Sequence, residues 1–140
     1  MWTLQQLKWM NPFINFEYIP NGVDLNKFEK SDRSQNIILS VGAFTKEKGH
    51  RFTIDAVSKL KNIKLIVMGS GGNLKDEIEK YGREKLGDLF EIKTVAYKDR
   101  YREFERASVF AFPTVPWESF GIVLVEAMAS GLPVVATNDP

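Results

Sequence analysis

Residues 116–136 read Pro116-Trp117-Glu118-Ser119-Phe120-Gly121-Ile122-Val123-Leu124-Val125-Glu126-Ala127-Met128-Ala129-Ser130-Gly131-Leu132-Pro133-Val134-Val135-Ala136. The pattern is loop, helix, tight turn, strand. Ser119 suits an N-cap, and Gly131 suits the residue just past a helix. The backbone N–H groups of Phe120, Gly121 and Ile122 would then open the helix. A helix start favours an anion, because its N–H groups point outward and its dipole is positive there. Glu118 and Glu126 stand eight positions apart. Eight helical residues rise about 12 Å, which is close to the length of a nucleotide diphosphate-sugar. One carboxylate could bind hydroxyls at each end of such a ligand, with its phosphates at the helix start between them.

The plain alternative is two solvated charges, with Glu118 merely favouring the dipole. Two details oppose it. Glu126 lies in an otherwise apolar run from Ile122 to Ala129, where a charge is costly without a partner. Glu118 sits close to Trp117 and Phe120, an odd setting for a solvating side chain.

The stretch from Glu118-Ser119-Phe120-Gly121 through Glu126-Ala127-Met128-Ala129-Ser130-Gly131-Leu132-Pro133-Val134-Val135-Ala136 closely resembles the Glu–seven residues–Glu signature of the retaining glycosyltransferases of family 4, which have the GT-B fold. A second segment, Ile19-Pro20-Asn21-Gly22-Val23-Asp24-Leu25-Asn26-Lys27-Phe28, resembles the entry to the second domain of those enzymes.

Composition sets outer bounds. The chain has 140 residues, 44% hydrophobic and 26% charged, the make-up of one ordinary globular domain. A net charge of +1 argues against a dedicated nucleic-acid surface. No cysteine is present, which excludes disulfides and thiolate metal sites, and the single histidine, His50, makes a histidine-rich metal site implausible. No apolar run has the length of a transmembrane span, and Met1 to Gln6 lacks the character of a signal peptide. These features fit a cytoplasmic protein, with peripheral membrane association compatible in a full enzyme.

From the N-terminus, Trp2 to Met10 reads as a short amphipathic helix ended by Asn11-Pro12. Phe16 to Ile19 alternates like a short strand, and Pro20 to Asp24 is turn chemistry. Residues 1–18 thus read as a residual interdomain helix and short strand, and residues 19–140 as the main domain. Strands are expected at Asn36–Gly42, Lys64–Gly69, Phe90–Tyr97, Val109–Pro113 and Pro133–Thr137. Helices are expected at His50–Leu60, with Phe52, Ile54, Ala56, Val57 and Leu60 on the packed face, at Leu74–Leu86 with Gly82 as a weak point, and at Tyr101–Ala107. Strict alternation of strand and helix predicts an α/β fold: a Rossmann-like parallel sheet with helices on both faces and right-handed crossovers. Ligands of such sheets bind beyond the carboxyl ends of the strands. Gly42, Lys48, Gly69 and Glu118 all follow strand ends and fall on that rim.

The resemblance adds roles to these positions. The chain looks like a truncated C-terminal, donor-binding half of a GT-B enzyme, a partial nucleotide-sugar-binding domain. Such an enzyme transfers a sugar from a UDP-, GDP- or ADP-sugar to a glycan, lipid or small-molecule acceptor, with retention and no obligatory metal or further cofactor. Carried over by position, Glu118 meets the donor sugar near the reacting centre and is the catalytic candidate. Glu126 meets the ribose hydroxyls. Lys48 and the Phe120-Gly121-Ile122 backbone hold the diphosphate. Gly42 and Gly69 count among the donor-binding positions, the Ser70-Gly71-Gly72 loop lets backbone approach a ligand closely, and Tyr97 stands where the base is received. The family often has Arg after the first of these glycines, where this chain has Ala43. Lacking an N-terminal acceptor domain, the polypeptide is expected to bind donor without being a competent enzyme. Two rival readings are a non-catalytic nucleotide-sugar-binding module paired with a separate chain, and a glycoside hydrolase using Glu118 and Glu126. The hydrolase needs carboxyls facing each other across a bond, about 5 to 9.5 Å apart, and a pair spread along a helix start serves it poorly.

Overall fold

The computed structural model describes residues 4–17, 19–96, 99–115, 118 and 120–138. Five strands form one sheet: β1 Ile37–Val41, β2 Lys64–Met68, β3 Phe90–Lys93, β4 Val109–Phe112 and β5 Val134–Ala136. Their order is β3-β2-β1-β4-β5, and every pairing is parallel. β1 is central, with Leu39 level with Ile66 on one side and Phe110 on the other. The helices are α1 Leu4–Met10, α2 His50–Val57, α3 Lys75–Leu86, α4 Tyr101–Arg106 and α5 Ile122–Ala129. The expected Rossmann-like sheet is therefore present.

Two packed layers follow from the period of two along each strand. Leu39, Ile66 and Phe110 point to a layer shared with Phe104 of α4 and Ala127 of α5. Leu65 and Val67 point the other way, onto Ile54 and Val57 of α2, Ile78 of α3 and Phe90. Because both faces are covered, β2 reads as an unbroken apolar run rather than an alternating one. Each such fully buried side chain contributes about 1.5–3 kcal/mol.

The helices correct several expectations. α2 buries His50, Thr53, Ile54 and Val57, the i, i+3, i+4, i+7 stripe. Phe52 and Leu60 do not join it; they are 62% and 53% exposed. With Ala56, Ile38, Ala111 and Val135 they line an apolar groove of about 650 Å³ between α2 and the same side of β4 and β5. Phe52 and Ala56 are turned off the buried stripe by the helical step, and Leu60 lies beyond the helix end. α3 runs unbroken through Gly82, where a Cβ would stand 2.4 Å from the Phe90 ring. That glycine makes room for an aromatic side chain and does not break the helix.

No strand forms at Phe16, Glu17 or Ile19, and Tyr18 lies outside the described residues. Ile19 is 80% exposed. A short alternating segment with no neighbour to bond is not stable in water. β3 also stops earlier than expected, at Lys93. The segment after it that holds Tyr97 falls partly outside the described residues.

α5 ends as its sequence requires. Gly131 has φ 68°, its N–H donates to Met128 O at 2.9 Å, and Leu132 N–H donates to Ala127 O at 3.0 Å. These two bonds make a Schellman closure, which only a residue at ease in the left-handed region supplies cheaply. The segment that leads into β1 fastens to the same end, with Ser31 N–H donating to Ser130 O at 3.0 Å.

Candidate functional site

A cleft of about 210 Å³ opens at the carboxyl ends of β1 and β2. Its lining includes Gly42, Ala43, Gly69, Ser70, Arg100 and Val123. Gly69 is fixed by close approach, since a Cβ there would stand 1.8 Å from the Gly42 carbonyl oxygen. Gly42 in turn leaves space for the stem of Lys48, whose Cγ would lie 3.0 Å from a Cβ on Gly42. Two of the expected glycines thus build the floor of the cleft, and Lys48 lies against one of them.

Lys48 closes a single 3₁₀ turn, Lys46–Lys48, and its ammonium is bonded to the Glu118 carboxylate. Val115 N–H donates to Glu47 O at 2.8 Å, which ties the segment leading to Glu118 onto the lysine turn. Burial alone would push the Glu118 carboxyl up. The hydrogen bond and charge of Lys48, with smaller help from the Gly121 and Phe120 N–H groups, outweigh it and hold that carboxyl below its ordinary value.

The helix start differs in detail from the expected one. Gly121, not Ser119, occupies the N-cap position of α5, with φ 70°. Ser119 itself lies outside the described residues. Leu124 N–H already bonds to Gly121 O at 2.8 Å. The Phe120 and Gly121 N–H groups give the Glu118 carboxylate a small stabilisation beside that of Lys48. Lys48 is thus the cation that holds the Glu118 carboxylate, close to the start of α5.

Glu126 is 1% exposed within α5. Its Oε1 accepts from Arg100 Nη2, while no described residue donates to its buried Oε2. Burial raises the Glu126 carboxyl, and the Arg100 charge opposes that rise without cancelling it. Arg100, which the sequence did not single out, links Glu126 to the cleft. Nothing in its neighbourhood in sequence marks it, because its partner lies in α5, beyond the whole of α4 and β4. Glu126 also borders a small cavity of about 60 Å³ with Gly22, Val23, Asp24, Lys27, Phe28 and Tyr101.

His50 was likewise not assigned a role. Its Nε2 lies 3.2 Å from Ala43 O and its Nδ1 3.1 Å from Ser40 Oγ. A carbonyl oxygen only accepts, so Nε2 carries the hydrogen and Nδ1 accepts from the Ser40 hydroxyl. Burial holds the ring below its ordinary value, against the pull of the Ala43 and Gly42 backbone. The neutral ring braces the turn that floors the cleft. Among the sequence-derived candidates, Gly42 and Gly69 line the cleft, the Lys48 stem packs on Gly42 and its ammonium holds Glu118, Glu126 is tied to the lining through Arg100, Phe120, Gly121 and Ile122 form the start of α5, and Tyr97 lies outside the described residues. No group of three potential metal-ligating side chains occurs among the described residues. No described helix is long and apolar enough to cross a membrane.

The family model "Glycosyl transferases group 1" matches residues 24–140. A phosphatidyl-myo-inositol mannosyltransferase of Mycolicibacterium smegmatis is 31% identical over 131 residues, covering 86% of this chain and 33% of the relative. The chain thus spans about a third of the length of the curated relatives it matches. Among solved structures, TarM superposes with a TM-score of 0.73 at 23% identity, over 96% of this chain and 28% of that one. Anabaena HepE in complex with UDP-glucose superposes with a TM-score of 0.72 at 21% identity, over 86% of this chain and 38% of that one. At these identities the two structures speak for the fold alone, a Rossmann-like parallel sheet that matches part of a GT-B glycosyltransferase.

Proposed function

This chain belongs to the group 1 glycosyl transferases, and from that premise we propose that it is the donor-binding part of a retaining enzyme that moves a sugar from a nucleotide diphosphate-sugar to an acceptor. The observation that carries the reading is the bond between Glu118 and Lys48, whose stem packs on Gly42 at the floor of the cleft. In this reading residues 19–140 bind the donor, and residues 1–18 belong to the connection with an acceptor domain. The diphosphate takes the place that the Glu118 carboxylate occupies on Lys48 and the turn. Glu118 swings to the hydroxyls of the donor sugar beside the reacting carbon, and Glu126 binds the ribose. Ala43 offers no side-chain charge, so Lys48 is the chief cation for the phosphates. Fixed donors of this kind stabilise the departing diphosphate without reorganising during the reaction.

The nucleotide is UDP, GDP or ADP, and HepE in complex with UDP-glucose supports a donor of this class. The acceptor is a glycan, a lipid or a small molecule, taken from a domain outside this chain, and the chain alone binds donor without transferring sugar. Calorimetry with UDP-, GDP- and ADP-sugars, with and without EDTA, tests the proposal. One of the three is expected to bind equally well in both conditions. Binding lost on chelation, or absent for all three, would overturn it.

A further inference from the structure

We propose that Arg100 is a positioning residue of the donor site: it fixes one oxygen of Glu126 so that the other is presented to a hydroxyl of the bound nucleotide. This rests on the reading of Glu126 as the ribose-binding carboxylate.

The two oxygens of Glu126 are unequal. Oε1 accepts from Arg100 Nη2, and Oε2 is buried with no donor among the described residues. Leaving a buried carboxylate oxygen unsatisfied costs free energy, and folded proteins keep such groups chiefly where something else completes them. Arg100 is well seated for the task. It immediately precedes α4, whose Phe104 is fully buried against Phe110, with ring centroids 5.6 Å apart. Its guanidinium carbon lies 5.8 Å from the centre of the Tyr101 ring, and that ring packs edge-on against Phe28 at 4.7 Å. The Arg100 side chain is 14% exposed and also lines the cleft. It therefore links the cleft to the Glu126 carboxylate, and a guanidinium holds a carboxylate oxygen with more directional control than an ammonium does.

The other charged and titratable groups around Glu126 do not duplicate this role. Asp24, Lys27 and Tyr101 border the same small cavity. Asp24 and Lys27 face each other at 3.8 Å, with side chains 50% and 53% exposed. Arg100 is thus the cation that counters the burial of Glu126, and a protonated Glu126 would present a different hydrogen-bonding pattern to a hydroxyl.

The test uses the 140-residue chain and whichever of UDP, GDP and ADP binds the wild type most tightly. Dissociation constants are measured for wild type, Arg100→Gln, Arg100→Lys and Glu126→Gln from pH 5 to 8. The Glu126 carboxyl is followed by carbon-13 NMR, with its signal identified by its loss in Glu126→Gln. Arg100→Gln is expected to weaken binding about tenfold and to move the Glu126 titration midpoint up by about one to three pH units, so that binding fails at a higher pH than in wild type. Arg100→Lys is expected to fall between the two in both readouts. It carries the test if Arg100→Gln does not fold. An unmoved midpoint with unchanged affinity in the arginine variants overturns the proposal. If Glu126→Gln still weakens binding in that case, the ribose reading survives it. If Glu126→Gln has no effect, or no nucleotide binds, the ribose reading fails and the proposal falls with it.

Discussion

Lys48 and Glu118, seventy positions apart, hold each other at the rim of the cleft. The lysine arrives on the turn after β1 and the glutamate on the segment after β4, so the contact exists because those two strands are neighbours. The pair keeps the lysine proposed to hold the phosphates engaged by an internal anion.

Replacing Lys48 by Ala is expected to weaken nucleoside diphosphate binding by about 1.5–3 kcal/mol, the usual contribution of a hydrogen bond to a charged group. Binding of the corresponding nucleoside should hardly change. Calorimetry on both ligands checks this, and equal losses would place the action of Lys48 away from the phosphates.

Glu118→Gln should act in the opposite sense on the same ligand. Removing the internal anion frees Lys48, and a partly exposed pair of this kind is worth about 0–1 kcal/mol. The free diphosphate should bind as well as to wild type or up to about fivefold more tightly. The extra affinity given by the attached sugar should shrink. In a complete enzyme turnover should drop, because contacts beside the anomeric carbon orient the donor. Weaker binding of the free diphosphate by a folded variant would refute the displacement scheme. The lowered Glu118 carboxyl also implies that the pair's contribution to stability is present above the ordinary value of 4.5 and is lost as pH falls through the lower folded value.

His50 makes stability depend on pH in a different window. Its folded-state value lies below the ordinary 6.5, so below pH 6.5 the unfolded chain takes up a proton that the folded chain does not. Stability should therefore fall as pH drops from 6.5 toward the folded value. Urea midpoints between pH 7.5 and 5 check this. His50→Gln should lie below wild type at pH 7.5 and show a flatter profile, and an equally steep profile would mean that another group titrates.

Gly82→Ala sets two effects against each other. Alanine favours a helix by about 1 kcal/mol. The added methyl would stand 2.4 Å from a Phe90 ring that is only 2% exposed, and overpacking of this kind costs about 1–3 kcal/mol. Net destabilisation is expected, measured as a lower urea midpoint with unchanged slope. A stabilised variant would show that the ring can move aside.

The sheet was legible in sequence because its strands are short β-branched and aromatic runs that stop at Gly or Pro, as Asn36–Gly42 and Val109–Pro113 do. The glycine and lysine positions at the rim were legible for the same reason: once strands are placed, the residues after them must share one edge. What escaped were properties of packing between distant segments. Phe52 looks like a core residue until α2 is set on the sheet and its His50–Thr53–Ile54–Val57 stripe faces inward. Gly82 looks like a breaker until Phe90 is placed under it. The start of α5 also escapes the sequence, because a serine in a good capping context competes locally with a glycine in the left-handed region, and local preference cannot decide between them. The apolar run around Glu126 announced that the residue needs a partner, but only the path of α4 beneath the sheet identifies Arg100.

The central place of β1 has a consequence for synthesis. β1 can pair with β2 within about thirty residues of chain, and α2 can cover one of its faces soon after. Its other neighbour, β4, and the aromatic layer of Phe104, Phe110 and Phe112 come some seventy residues later. A chain emerging from the ribosome at about 5–20 residues per second thus holds the second face of Leu39 uncovered for several seconds. The cleft, which Val123 helps to line, cannot be complete on any nascent chain that has not yet added α5.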